Sequence, residues 1–177
     1  MAIYTTLTAN DPVKHGIFES SRMKATDIGH LYDALVQESG NNIPVDNGVA
    51  IKIGDFTGNG LQEVKATIAE KADKIAVVGT PALVKDAFTS QQADAYNFYN
   101  KAGSLVKAYE VVEEDIFAVA DYQIAGDAVV GATVVVDGNG AYEVVTDATD
   151  CAFVGRVHSV ASGEFATMVR IQCVKNA

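Results

Sequence analysis

The side chains that could do chemistry in this chain are few and far apart. Its three histidines, His15, His30 and His158, have no adjacent His, Cys or carboxylate at the spacing a metal site needs. The serines lack the Gly-x-Ser-x-Gly elbow that exposes a nucleophile on a sharp turn. No Gly-x-x-x-x-Gly-Lys-Ser/Thr loop is present to cradle a phosphate, and no Gly-x-Gly-x-x-Gly leads from a strand into a helix. Asp137-Gly-Asn139 with Glu143 nearby has oxygen ligands but not the spacing that wraps them around calcium. Gly58-Asn-Gly60 and Gly138-Asn-Gly140 read first as hairpin turns, because Asn and Gly tolerate positive φ. Glu113, Glu114 and Asp115 are three acids in a row. Acid–base work by a pair needs two carboxylates in different environments across a cleft, so this run reads as a solvated turn between strands. Cys151 and Cys173 flank the last predicted hairpin; a disulfide between them is geometrically open, but with no export signal the expected reducing cytosol favours two buried thiols. Cys173 alternates with Val169 and Ile171 and so faces inward. The sequence assigns no catalytic residue, no cofactor and no metal, and predicts a protein that is not an enzyme.

The elements that would position these residues are strands. Ala132-Thr-Val-Val-Val136, the turn Asp137-Gly-Asn-Gly140 and Ala141-Tyr-Glu-Val-Val145 spell one hairpin. Phe153 to Val160 and Phe165 to Val174, joined through Ala161-Ser-Gly-Glu164, spell another. Upstream, strands are predicted around Val49–Ile53, Leu61–Ala69, Lys74–Val78, Leu105–Val112 and Ile116–Tyr122. Turn signals recur every 8–12 residues or so, as in a barrel or sandwich. Ile28, Leu31, Tyr32, Leu35 and Val36 fall at helical spacing behind a possible Asp27 cap, and predict a short helix over 27–36. Residues 82–100 show no clean period and read as a loop, with Tyr96, Phe98 and Tyr99 clustered at its end. The fold class is therefore mostly β. It comprises small β-barrel or sandwich modules, an extended N-terminal arm and at most short helices. The predicted organisation is an arm over 1–24, a β-containing part over 25–100 and a barrel-like part over 101–177, or 25–177 as one domain. Val134, Val136, Val144, Val154, Phe165, Val169 and Ile171 are core candidates.

Composition narrows the function classes. The chain has 177 residues and a net charge of −10, and its 49% hydrophobic content excludes a disordered chain. Residues 101–150 hold ten acids against Lys101 and Lys107. No basic stripe is present to replace phosphate counterions, so nucleic acid is not an expected partner. No apolar run approaches the roughly 20 residues that span a bilayer. The start, Met1-Ala-Ile-Tyr-Thr-Thr-Leu7, lacks the basic flank and apolar core of a secretory signal, so the expectation is synthesis and action in the cytoplasm, or release by lysis.

The order of segments resembles the small decoration, or cement, proteins that stabilise the heads of tailed bacteriophages. A polar arm ends near Ser21-Arg-Met-Lys-Ala25, followed by Val49-Ala-Ile-Lys-Ile-Gly54 and Lys74-Ile-Ala-Val-Val-Gly-Thr-Pro-Ala82. A Tyr/Asn-rich connector leads into Lys101-Ala-Gly-Ser-Leu-Val-Lys-Ala-Tyr-Glu110. Then come Asp115-Ile-Phe-Ala-Val-Ala-Asp121, Val130-Gly-Ala-Thr-Val-Val-Val-Asp-Gly138 and the closing hairpin Phe165 to Val174. The likeness spans most of residues 20–174. It implies a non-enzymatic virion protein, made in the bacterial host cytoplasm. Such a protein binds the outer surface of the assembled capsid where capsomers meet, with the major capsid protein as its partner, as a homo-oligomer (trimer or dimer). It implies neither nucleic acid nor membrane as partner.

The family supplies no motif of contact residues, so contacts come from the residues themselves. The arm's anchors Ile3, Tyr4, Leu7, Ile17, Phe18 and Arg22 are the candidates, since 24 extended residues reach roughly 80 Å at about 3.3 Å each. The other class is a receptor- or glycan-binding β domain of a virion or cell surface, with Tyr96, Tyr99 and Tyr142 as the aromatic platforms.

Overall fold

Strand β6 (Ala76–Val78) is buried on both faces, and the architecture is built around it. Ala76 and Val78 point into one apolar cluster, and Val77 points into another. This is why Ile75-Ala-Val-Val78 is a continuous apolar run rather than an alternating one. The structure is a computed structural model that describes residues 15–26, 30–60, 62–81, 98–162 and 166–177. Among them the chain is mostly β, with short 3-10 turns at Lys24–Thr26 and Asp121–Gln123.

On one side of β6 lies a closed five-stranded barrel. It is formed by β2 (Leu31–Glu38), β5 (Glu63–Ile68), β4 (Ala50–Phe56), β6 and β7 (Val106–Glu110), and β7 returns to pair with β2. The short β3 (Asn41–Asn42) extends β2 at one end. Five strands enclose little space, so the interior is lined by small residues. They include Ala34, Ala66, Ala76 and Ala108, with Val36, Val64, Val78, Val106 and Ile51.

On the other side lies a seven-stranded sheet in the order β1-β8-β13-β12-β10-β11-β9. Its strands are β1 (Phe18–Arg22), β8 (Ile116–Ala120), β9 (Ile124–Ala125), β10 (Thr133–Val136), β11 (Tyr142–Val145), β12 (Phe153–Ser162) and β13 (Thr167–Asn176). The inner face brings Phe117, Val134, Val136, Tyr142, Phe153, Val157, Val169, Ile171 and Cys173 against Ala50, Ile75, Val77 and Val111 of the barrel wall. Phe117 sits 6.0 Å from Tyr142 and 6.2 Å from Phe153, ring centre to ring centre, in tilted packing. Asn176 stitches the seam: its amide donates to the carbonyls of Ile75 and Val111, and its Oδ1 accepts from Ile75 N.

Several expectations change. The closed barrel is built from residues 31–110 rather than 101–177, because β7 finds its partners in β2 and β6, far upstream. The end of the arm, Phe18–Arg22, is an edge strand against β8. Residues 31–38 are strand, not helix. Tyr32, Ala34 and Val36 face the barrel interior at period two, and the outward Leu31 and Leu35 are apolar enough to mimic a helical stripe. β4 runs on to Phe56, past the strand predicted around Val49–Ile53. Val154 pairs with Lys175 on the face away from the core and is only half-buried. Val144 packs half-buried at the core margin, and Phe165 lies outside the described residues.

The β10–β11 turn leans on the barrel, where Ala50 N donates to Gly140 O at 2.8 Å. Gly140 has φ +76°, and a Cβ there would lie 2.8 Å from Val49 Cγ1 and 2.9 Å from Ala50 O. Gly138 in the same turn also has positive φ, +91°, but nothing within 4 Å of a Cβ. Gly138→Ala should therefore cost only backbone strain, about 1 kcal/mol. Gly140→Ala adds a backbone collision and should cost about 3 kcal/mol. Urea unfolding of the two variants measures the difference, and equal losses would mean the turn does not bear on the barrel.

Candidate interaction surface

Where barrel, sheet and N-terminal segment meet, a set of buried polar side chains is assembled that local sequence does not announce. Gln123 ends the 3-10 turn after β8 and is buried. Its Oε1 accepts from Ile17 N (2.9 Å) and Ala120 N (3.1 Å), and its Nε2 donates to Asn47 O (2.9 Å). The amide group fits because Gly16 and Gly48 flank it; a Cβ on either would come within 2.5 Å of Nε2. Asn47 in turn exchanges hydrogen bonds with the backbone of Thr80 and accepts from Asn100 Nδ2. Asn100 Nδ2 also donates to Val45 O.

Next to this lies a buried His15–Asp46 pair. His15 Nδ1 is 3.0 Å from Asp46 Oδ1, and Gly16 N donates to Asp46 Oδ2 at 2.8 Å. The His15 ring stacks on Tyr99 with centres 5.2 Å apart, and Tyr122 Oη donates to the His15 carbonyl. Both side chains of the pair are almost without solvent contact. Burial raises the Asp46 carboxyl above its ordinary range, against the lowering effect of the hydrogen bonds from His15 and Gly16. A carboxyl raised in the folded state favours folding more at low pH than at high pH. Acid acting through Asp46 therefore tightens this junction rather than opening it.

Asp115 is likewise spent on backbone N–H groups and corrects the picture of a solvated acidic turn. It is buried; Oδ1 accepts from Lys24 N and Oδ2 from Val112 N, both at 2.9 Å. Glu113 and Glu114 are exposed, Glu114 with φ of 73°. Asp137 spends its Oδ1 on Asn139 N and Ala141 N, and Glu143 pairs with Lys71, so both carboxylates of the loop that loosely suggests calcium are engaged within the fold. His30 Nδ1 is 3.2 Å from Glu110, which also pairs with Lys74 at 2.7 Å. Burial acts to raise the Glu110 carboxyl, but Lys74 and His30 outweigh it and hold it below its usual range. Glu110 and Lys74 border an open pocket of about 230 Å³ with Tyr32, Lys52, Ile53 and Ile75, where Lys52 is in turn held by Asp73. His158 is exposed on β12. Among the described residues no group of three or more His, Cys, Asp or Glu is placed to hold a metal ion.

Of the arm candidates, Ile3, Tyr4 and Leu7 lie outside the described residues. Ile17 is half-buried against Ala118, Ala120 and Met168. Phe18 is half-buried between the two bodies, 5.2 Å from the Tyr109 ring and 6.3 Å from the Phe117 ring. Arg22 is exposed at the end of β1. Of the aromatic platforms, Tyr96 lies outside the described residues and Tyr99 is half-buried against His15. Tyr142 is fully buried, so it offers no face to a sugar; the strand alternation that exposes Glu143 turns it inward. Cys151 and Cys173 are both free, buried thiols, and burial pushes the Cys173 thiol up to about 12.

Replacing Gln123 by Ala strands two backbone N–H groups and one carbonyl in a largely buried junction, at a cost of about 3 kcal/mol. Hydrogen exchange should show lost protection at Ile17 and along β1 before the barrel is affected; uniform loss across the chain would contradict this. The Tyr142 hydroxyl is buried with no hydrogen-bond partner among the described residues, and burial raises its ionisation beyond the usual tyrosine range. Tyr142→Phe should therefore raise stability at neutral pH by about 1 kcal/mol. In the unfolded chain this phenol and the Cys173 thiol ionise at their ordinary values, so their contribution is complete below about pH 9 and falls as pH rises further. Denaturant midpoints across pH 8–11 should decline in the wild type, and less above pH 10 in Tyr142→Phe. Scans against protein-family models, curated proteins and solved structures find no match to this chain.

Proposed function

We propose that this protein is a structural component of a phage virion that binds the outside of the assembled capsid and cements adjacent capsomers. The observation that carries the reading is the use made of the buried polar groups. Asp46, Asp115, Asn100 and Gln123 all bind backbone groups, and His15 holds Asp46. Both thiols are enclosed as well. The chemistry of the chain goes into fixing shape, which suits a protein whose task is to present a rigid surface. The order of its segments, from Ser21-Arg-Met-Lys-Ala25 to the hairpin ending at Val174, supports the same reading through its resemblance to head-decoration proteins.

The mechanism would be thermodynamic linkage. A protein that binds the assembled lattice and not free subunits stabilises the lattice by RT ln(1 + [L]/Kd), about 2.7 kcal/mol per site at a hundredfold excess over Kd. Many sites on one shell, each bridging neighbours, multiply the effect. Purified protein added to undecorated heads should cosediment with them and raise the temperature at which they break open. Absence of cosedimentation together with unchanged heat resistance would refute the capsid role.

A further inference from the structure

All three arginines of the chain, Arg22, Arg156 and Arg170, are gathered on one face of the seven-stranded sheet. Directly paired residues on neighbouring strands point to the same side. Arg22 pairs with Ile116, Ile116 with Gln172, and Gln172 with Arg156. That row crosses β1, β8, β13 and β12, so its two arginines stand about 14 Å apart at roughly 4.8 Å per strand. Arg170 stands half-buried in the next row on this side, paired with Ser159 and with Ala118; beyond it Ala118, Ala120 and Met168 are covered by Ile17 and Tyr122, so the open part of the face is its Arg22–Arg156 end. Phe117, Val119 and Ile171 alternate with these positions and face the core, which fixes the arginine side as the outer one.

Three further observations separate this face from the rest of the surface. First, none of the arginines pairs with a carboxylate among the described residues, whereas Lys52, Lys71, Lys74 and Lys107 each do. Arg170 makes one long contact, 3.5 Å to Ser159 Oγ. Second, the four strands carry Lys175 and His158 besides the arginines, against the single carboxylate Glu19, in a chain of net charge −10. Third, the two register shifts between β12 and β13 leave His158 and Val174 as extra, exposed residues, and Val174 is 53% exposed beside half-buried Val154. Exposed Val129 and Val130 border the face, on a loop tied to β12 by Gly131 N donating to Val157 O. Unpaired arginine among exposed aliphatic groups is the composition of a protein-binding surface.

We infer that the outer face of β1-β8-β13-β12 is the docking surface, and that its partner is an acidic protein surface whose carboxylates receive the arginine forks. Guanidinium and carboxylate match in geometry and bind through two parallel hydrogen bonds. A polyanion such as nucleic acid fits less well, since its dense charge would meet the repulsion of the whole acidic molecule. This inference rests on the capsid reading, and it moves the contact from the arm's apolar anchors to the sheet behind Arg22.

The test is binding to undecorated heads across a range of salt. It compares the wild type, Arg156→Glu, the milder Arg156→Gln and, as a control, Lys65→Glu, which makes the same charge change at an exposed barrel position. Arg156→Glu should weaken binding tenfold or more and flatten its salt dependence, Arg156→Gln should do so less, and Lys65→Glu should stay within twofold. Melting temperatures of the exposed-site variants should match the wild type. If the wild type binds and Arg156→Glu behaves like Lys65→Glu, the docking face is wrong while the capsid reading stands. If the wild type does not bind heads at any salt, both fall. If sedimentation shows that the wild type self-associates and Arg156→Glu disperses it, a second copy occupies the face and the inferred partner is overturned.

Discussion

The carboxamide of Gln123 is the contact on which the arrangement of the rest turns. It closes the gap between three stretches that share no neighbouring sequence: the segment entering β1, the 45–48 loop of the barrel and the end of β8. A buried amide with both ends engaged is stabilising, and a half-engaged one is costly. The junction therefore tends to be wholly formed or wholly absent. β1 hangs from it, since Ile17 N has its acceptor here just before the strand begins. With β1 in place, Phe18 fills the space between Tyr109 and Phe117, and Arg22 is carried to the edge of the outer sheet face. Position of the edge strand, packing between the bodies and the surface charge pattern thus share one origin.

The shared wall supplies the complementary apolar constraint. β6 gives alternate side chains to the barrel and to the sheet, so neither body can be shifted without uncovering the other. Burial of this kind has no direction of its own. The directional part comes from Asn176 and Gln123, which fix the register of sheet against barrel through backbone groups. This division of labour accounts for the buried polar side chains of His15, Asp46, Asn100, Asp115 and Gln123. Those groups specify an alignment that aliphatic packing alone would leave loose.

What the sequence discloses follows from how local each signal is. The 133–145 hairpin is legible because Asp137, Gly138 and Gly140 announce the turn and the valines alternate around it. The two buried thiols are legible from the alternation around Cys173. β2 is not, since apolar residues on its outward side fill in a helical stripe, and its strand partners lie some 30 and 75 positions away. Asp115 reads as a surface acid because two acids precede it, yet Lys24 N and Val112 N, the former 91 residues distant, draw it inside. The His15–Asp46 and Ile17–Gln123 contacts span 31 and 106 residues and have no motif to mark them.

The arginine face is the clearest case of information that exists only in the fold. Arg22 and Arg156 are 134 positions apart in sequence, and three rungs of antiparallel pairing bring them into one row. Segregation of the two kinds of cation gives the row its meaning. Lysines on the barrel side are neutralised by acids of the same chain, at exposed positions where such pairs contribute little stability. Their effect is instead to reduce the free positive charge of that side, where Lys65 stays exposed with no ion pair among the described residues. Among the described residues the guanidinium groups are left without a carboxylate partner, and charge of this kind governs orientation and encounter more than affinity. An acidic body with an arginine-bearing face meets an acidic surface unequally from its different sides, so the fold, by aligning these rows, builds a preferred direction of approach into the molecule.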